Sequence, residues 1–227
     1  MKNLEKLVNI IIEKHQVYTV YQPVVNLETG IVFGYEALMR PDIGLTEISV
    51  QSLFECAEKM QRAWELDKIC RKRALKTAGR QRLEKKLFIN VDPNIMLDPE
   101  FQEGFTKNRL EKYKIAPNLI VFELSERTAI SNYPSFQKTL QHYRDQKFSI
   151  AIDDFGYGYS SLSLFCETAP EFIKIDISLI KGINKDLFKK NMVKSLVQIA
   201  SSTNTKLIAE GIETKEDLLC LIELGVA

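Results

Sequence analysis

Apolar and polar positions change rhythm along this chain. Leu4, Leu7, Val8, Ile11 and Ile12 recur at helical spacing, which predicts a short amphipathic helix over residues 4–15. The runs YTVYQPVV and IVFGYEALMR follow, rich in β-branched and aromatic residues and joined by NLETG. Its Asn, Thr and Gly suit a tight connection, so an antiparallel hairpin is expected. Residues 50–78 read as one long helical region with Gly79 as its stop and Trp64 as a packing residue inside it. From there the pattern is regular. Apolar runs at 87–91, 119–124, 148–152, 172–175 and 206–209 predict strands, and 133–146, 187–201 and 215–224 predict helices between them. Strands that are apolar throughout and alternate with helices belong to a parallel sheet covered on both faces. No Gly/Ser linker or charge block divides the chain, so residues 1–227 read as a single domain. With the hairpin the strands number seven, where a closed (β/α) barrel has eight. The chain stops at ELGVA, where an eighth would begin, and the domain is expected to be C-terminally short.

Composition narrows the function. A formal charge of +1, from 31 basic and 30 acidic residues, gives no electrostatic footprint for DNA or an anionic membrane. Cys56, Cys70, Cys166 and Cys220 are widely spaced and form no Cys-x-x-Cys pair, the usage of reduced, packed thiols in a cytoplasmic protein. With only His15 and His142, the sequence argues against a zinc site built on histidines, and any bound metal is expected to have oxygen ligands. The apolar run Leu7–Ile12 is far shorter than a membrane span, so no membrane contact is expected from this segment.

The chemistry gathers where strands end. In FSIAIDDFGYGYSS an apolar run closes on Asp153 and Asp154 before a glycine-containing turn. Neighbouring strand residues point to opposite faces, so both acids can serve one site only where the strand twists into its loop. Taken alone, the pair also fits two solvated aspartates that start a turn. The same event recurs, however. Glu36, Asn90, Glu123, the aspartate pair, Lys174 with Asp176, and Glu210 with Glu213 all fall at or just beyond predicted strands. A (β/α) barrel brings such ends to one face. So many carboxylates would repel one another unless cations offset them, and oxygen ligands suit Mg²⁺ or Mn²⁺. Two hard cations close together favour in-line displacement at phosphorus, which points to phosphodiester hydrolysis.

Glu36-Ala37-Leu38 with Arg40, inside YQPVV…GYEALMR, resembles the signature of the EAL domains, phosphodiesterases of the bacterial second messenger cyclic di-GMP. The resemblance continues in order through FINV, FELSE, DDFGYGYSSL, FIKID and AEGIET, over nearly the whole chain. It implies a TIM-like (β/α)8 barrel with an antiparallel first strand. It assigns Glu36, Asn90, Glu123, Asp153 and Asp154 to two Mg²⁺ or Mn²⁺ ions. Lys174 would hold the attacking water and the scissile phosphate, and Glu210 would serve as metal-site carboxylate or general base. Gln22, Leu38 and Arg40, with Asp154, would contact the dinucleotide, and Glu126 would steady the loop after the aspartates. The implied product is linear pGpG and the implied assembly a homodimer in the bacterial cytoplasm. Two departures stand out. Tyr157 occupies a place that is usually small or threonine, and the Gln-Gly-Tyr string of an eighth strand does not occur, so turnover by this polypeptide is expected to be impaired. The alternative function is a catalytically inactive cyclic di-GMP receptor or a dimerising regulatory module.

Overall fold

The computed structural model describes residues 2–44, 48–98, 100–126, 133–156 and 161–226. A leading helix, α1 (Lys2–Lys14), runs into the hairpin β1 (Val17–Val25) and β2 (Val32–Pro41). In the connection the Asn26 side chain accepts bonds from the Thr29 amide at 2.8 Å and the Thr29 hydroxyl at 2.6 Å, and Gly30 takes φ +67°. Two helices, α2 (Val50–Lys59) and α3 (Ala63–Arg80), precede β3 (Lys86–Asn90). The remaining units are α4 (Phe105–Tyr113), β4 (Ile120–Ser125), α5 (Tyr133–Asp145), β5 (Ser149–Phe155), α6 (Ser161–Thr168), β6 (Phe172–Ile175), the single turn α7 (Ile177–Ile180), α8 (Leu187–Thr203), β7 (Lys206–Ala209) and α9 (Lys215–Leu224).

The strands form one sheet in the order β1 to β7. The β1–β2 pair is antiparallel and every later pair is parallel. This is the TIM-like arrangement with a reversed first strand. Among the described residues no eighth strand follows β7. The edges β1 and β7 face each other across a cleft of about 780 Å³, lined on one side by Gln22–Val25 and on the other by Leu207–Ala209.

The outward side chains of the strands, such as Leu87, Ile89, Phe122, Ile150 and Ile173, are buried with the helices in the main core. Burial of side chains of this size stabilises the fold by about 1.5–3 kcal/mol each. A second cluster joins α1, α2 and one face of α3 through Leu7, Val8, Ile11, Leu53 and Leu66. The inward side chains form a third, smaller layer containing Phe88, Val121, Ala151 and Phe172.

Two expectations are corrected. The long helix over 50–78 is two helices, because Gln61 adopts φ +56° and Arg62 turns its guanidinium onto Glu65 of the following turn and onto Asn9 of α1. Gly79 is no stop; it lies inside α3 because the helix passes too close to α4 for a side chain. A Cβ there would lie 2.7 Å from Tyr113 Cβ and 2.8 Å from the Tyr113 carbonyl oxygen. Helices α4 and α6, which the apolar spacing does not announce, are present as well.

Candidate active site

The site follows from a period of two along each strand. Val121, Ala151, Phe172 and Ile208 belong to the inner apolar layer with Phe88 and Val24. Two residues further along the parallel strands, on the same face, come Asn90, Glu123, Asp153, Lys174 and Glu210. On β2 the corresponding step runs from Gly34 to Glu36. A Cβ on Gly34 would lie 2.9 Å from Phe88 Cε2, so the phenyl ring takes the space that the glycine leaves. On the reversed β1, Gln22 stands opposite Glu36 in the register. An apolar floor therefore carries a polar layer on every strand.

Lys174 is the hub of that layer. Its side chain is 2% exposed, and Nζ lies 2.8 Å from Glu210, 2.9 Å from Glu123, 3.1 Å from Asp153 and 3.2 Å from Glu36. Burial alone would pull the lysine pKa down. The charges of Glu123, Asp153, Glu36 and Glu210 outweigh it and hold the ammonium well above its usual value. Asn90 completes the ring, donating from Nδ2 to Glu36 at 3.1 Å and to Glu123 at 3.0 Å.

One ammonium cannot balance four carboxylates. Burial pushes the Glu123 carboxyl well above the usual range, against the pull of Lys174. Burial likewise raises Glu210 to about 7, with Lys174 opposing and Asp153 adding to the rise. Glu123 Oε1, fully buried, has no partner of good hydrogen-bond geometry and is faced by Nζ at 2.9 Å as an ion pair. A buried carboxylate oxygen of that kind is expensive unless something else meets it.

Asp154 reaches the same region by a backbone device. The β5–β6 register shifts between Ile152 and Phe155, and Asp154 takes φ +57°. Left-handed backbone at a residue other than glycine is a strained conformation that a functional constraint can hold. The consequence is that adjacent residues serve one site. Asp153, Asp154 and Glu210 each present an oxygen within 4.8 Å of the others, a spacing that one hard cation could span. Ser125 Oγ donates to Asp154 at 3.4 Å. Behind them the buried Glu126 accepts the Gly156 amide at 3.0 Å. That bond ties the end of β4 to the turn after the aspartates.

The remaining strand-end groups divide. Glu36, Leu38 and Arg40 share one face of β2 by alternation, and the Arg40 guanidinium donates to the Met39 carbonyl at 2.8 Å. Asp176 and Glu213 stand apart from the cage: Asp176 caps α7 by accepting the Ser178 amide at 2.8 Å, and Glu213 pairs with Lys181 at 2.9 Å in solvent. Tyr157 and Gly158 lie outside the described residues. Sequence reasoning missed Ser125, whose only signal is its place at the end of β4, and the contacts of α7 described below.

The fit with known proteins is extensive. A family model, the EAL domain, matches residues 4–227. The probable cyclic di-GMP phosphodiesterase PdeB of Escherichia coli is 27% identical over 219 residues, covering 95% of this chain and 41% of that protein. The cyclic di-GMP phosphodiesterase RocR of Pseudomonas aeruginosa is 29% identical over 214 residues, covering 90% of this chain and 53% of RocR. The chain thus spans about half the length, or less, of these relatives. Among solved structures, BlrP1 of Klebsiella pneumoniae, in a complex with calcium and cyclic di-GMP, superposes with a TM-score of 0.84 at 28% identity, over 93% of this chain and 53% of BlrP1. The same protein is known as a manganese and cyclic di-GMP complex.

Proposed function

The chain belongs to the EAL domain family, and we propose that it is a metal-dependent phosphodiesterase that hydrolyses cyclic di-GMP to linear pGpG. The observation that carries this reading is the inward polar layer, in which four carboxylates converge on the single ammonium of Lys174. The residues fit a pair of divalent cations. Oxygen donors surround the site, Glu123 Oε1 lacks a hydrogen bond, and three carboxylates already lie within one ion's span. Glu36, Asn90, Glu123, Asp153 and Asp154 would hold Mg²⁺ or Mn²⁺, the Asn90 amide offering its oxygen. When bound, the ions supply Lewis-acid activation of water and neutralise charge on the phosphoryl oxygens.

The chain's own residues do the rest. Lys174 holds the attacking water and the scissile phosphate near the carboxylates, and its permanent positive charge favours the anionic transition state. Glu210 would serve as a metal-site carboxylate or as the general base that takes the water proton, roles that do not exclude one another. The water oxygen bonds to phosphorus as the bond to the 3′ oxygen breaks, leaving a 5′ phosphate and a 3′ hydroxyl. Arg40 provides a cationic fork for the phosphate that is not cut, Gln22 and Leu38 border the dinucleotide, and Glu126 keeps the turn after Asp154 in place. The homodimer implied by the family resemblance is part of the same proposal, and light scattering of the purified chain tests it.

The test is chromatography of cyclic di-GMP incubated with the protein and Mg²⁺ or Mn²⁺. The expected result is formation of pGpG, lost in Glu36→Ala. Binding of the dinucleotide without any pGpG under either metal would replace this reading with that of a receptor.

A further inference from the structure

Directly after Lys174 the chain makes the single turn α7, and its place is unusual. The backbone N–H of Asp176 donates to the Phe155 carbonyl at the end of β5 at 3.1 Å, and the Glu210 N–H donates to the Ile175 carbonyl at 3.2 Å. The start of α7 is thereby joined to the strand that carries Asp153 and Asp154 and to the residue that carries the third carboxylate. Asp176 caps the turn through Ser178 and fixes its orientation.

Two side chains of α7 then fill the space left by two glycines. Gly156 has φ +102°, and a Cβ there would lie 2.5 Å from Leu179 Cδ1. Gly211 has φ +67°, and its Cβ would lie 2.4 Å from both Cδ1 and Cγ1 of Ile177. Gly156 lies two residues after Asp154, and Gly211 immediately follows Glu210. Ile177 also lines the cleft beside Glu36, Lys174 and Glu210. Ile177 is 39% exposed toward the cleft and Leu179 is half-buried, so each is held on one side, by the glycine it meets.

We propose that Ile177 and Leu179 are positioning residues: α7 is a spacer between the loops after β5 and β7 that sets Asp153 and Asp154 at the distance from Glu210 that one divalent cation requires. The inference rests on the metal-dependent reading above. It adds a part of the chain that would act through the two glycine contacts.

The test is Mn²⁺ titration of Ile177→Ala, Leu179→Ala, Gly211→Ala and the Ile177→Ala/Gly211→Ala pair, followed by the EPR signal of free Mn²⁺. Melting temperature and the kcat and KM for cyclic di-GMP are measured alongside. Each single variant is expected to weaken Mn²⁺ binding roughly 10- to 100-fold, the range found when residues supporting metal ligands are removed. Lower kcat at nearly constant KM is expected with it. Ile177→Ala removes the two 2.4 Å contacts of Gly211→Ala but leaves Cβ at 2.9 Å and the strain of φ +67°, so it should restore only a small part of the lost affinity, and the conservative Ile177→Val should bind nearly as well as the parent. If Gly211→Ala does not fold, the contrast of Ile177→Ala with Ile177→Val decides. Unchanged Mn²⁺ affinity in folded Ile177→Ala and Leu179→Ala overturns the spacer and leaves the phosphodiesterase reading intact. A parent protein that binds Mn²⁺ but cleaves nothing overturns that reading, while the affinities still decide the spacer. A parent that binds no Mn²⁺ overturns both.

Discussion

Two buried cations in this molecule have opposite surroundings. In the wall, Arg71 of α3 bonds Asp67 at 2.6 Å, the Tyr143 hydroxyl at 2.9 Å and the Thr106 hydroxyl at 3.1 Å. The rings of Trp64, Phe122 and Tyr143 lie within 5.3–5.9 Å of its guanidinium carbon. One positive charge meets one negative charge, neutral donors and acceptors take most of the remaining capacity, and the aromatic faces supply cation–π attraction. In the barrel mouth, Lys174 meets four carboxylates, and the neutral Asn90 amide that donates to Glu36 and Glu123 adds no positive charge to offset the excess. The first arrangement pairs its charges one to one, although Arg71 Nε has no hydrogen-bond partner. The second is balanced only by adding positive charge, which separates a structural ion pair from a site.

The largest expected difference comes from removing each cation. Lys174→Ala should lower hydrolysis of cyclic di-GMP by roughly 10²–10³-fold, the range for loss of a group that stabilises transition-state charge. Arg71→Ala should leave turnover per folded molecule within about threefold. It should destabilise the protein by about 3–5 kcal/mol, because Asp67 stays buried without its partner. Denaturant unfolding and steady-state rates on both variants check the contrast. If Arg71→Ala lost activity without losing stability, the division between wall and site would fail.

Next in size is the response to metal. At a free concentration near 100 times its dissociation constant, each bound Mn²⁺ should add about 2.7 kcal/mol to the unfolding free energy by linkage. The increment should vanish in Asp153→Asn and persist in Arg71→Ala, as thermal or denaturant melts will show.

A smaller effect concerns pH. Glu210 is raised to about 7, first by burial, so in the metal-free protein it takes up a proton as pH falls through that value. A raised carboxyl favours the folded state at low pH and gives up that contribution as pH climbs from its unfolded value, near 4.5, to about 7. Metal binding must displace the proton. Mn²⁺ affinity should therefore rise with pH and level off above about 7, and Glu210→Gln should flatten the profile in a calorimetric series.

The smallest expected change is in the wall. Tyr143→Phe removes one bond to Arg71 and should cost about 1.5 kcal/mol of stability without altering hydrolysis.

Much of the site was legible because it lies on strands. Asn90 and Glu210 stand at or just past the ends of their strands, Glu123, Asp153 and Lys174 within two residues of theirs, and Glu36 in the middle of β2 rather than at its end, and the period of two places them on one face without further information. Asp154 was legible only as a requirement that the strand twist at its end. The left-handed backbone that fulfils it has no local signature beyond the Asp-Asp-Phe-Gly string. Helices gave less. The break after α2 has neither Gly nor Pro, so it depends on a tertiary contact between Arg62 and α1. Gly79 misled because close approach to Tyr113, visible only in three dimensions, holds a glycine inside a helix. Asp67 and Arg71 offered an i, i+4 pair, but their burial behind β4 depends on α4 and α5.

The most direct test of the charge imbalance is the Mn²⁺ stoichiometry of the purified protein near pH 7.5, with bound ions read by EPR and counted against free metal. The expected result is two Mn²⁺ per chain with a spin-coupled signal, reduced in both Glu36→Ala and Asp153→Asn. No bound Mn²⁺, or binding that both substitutions leave unchanged, would contradict it.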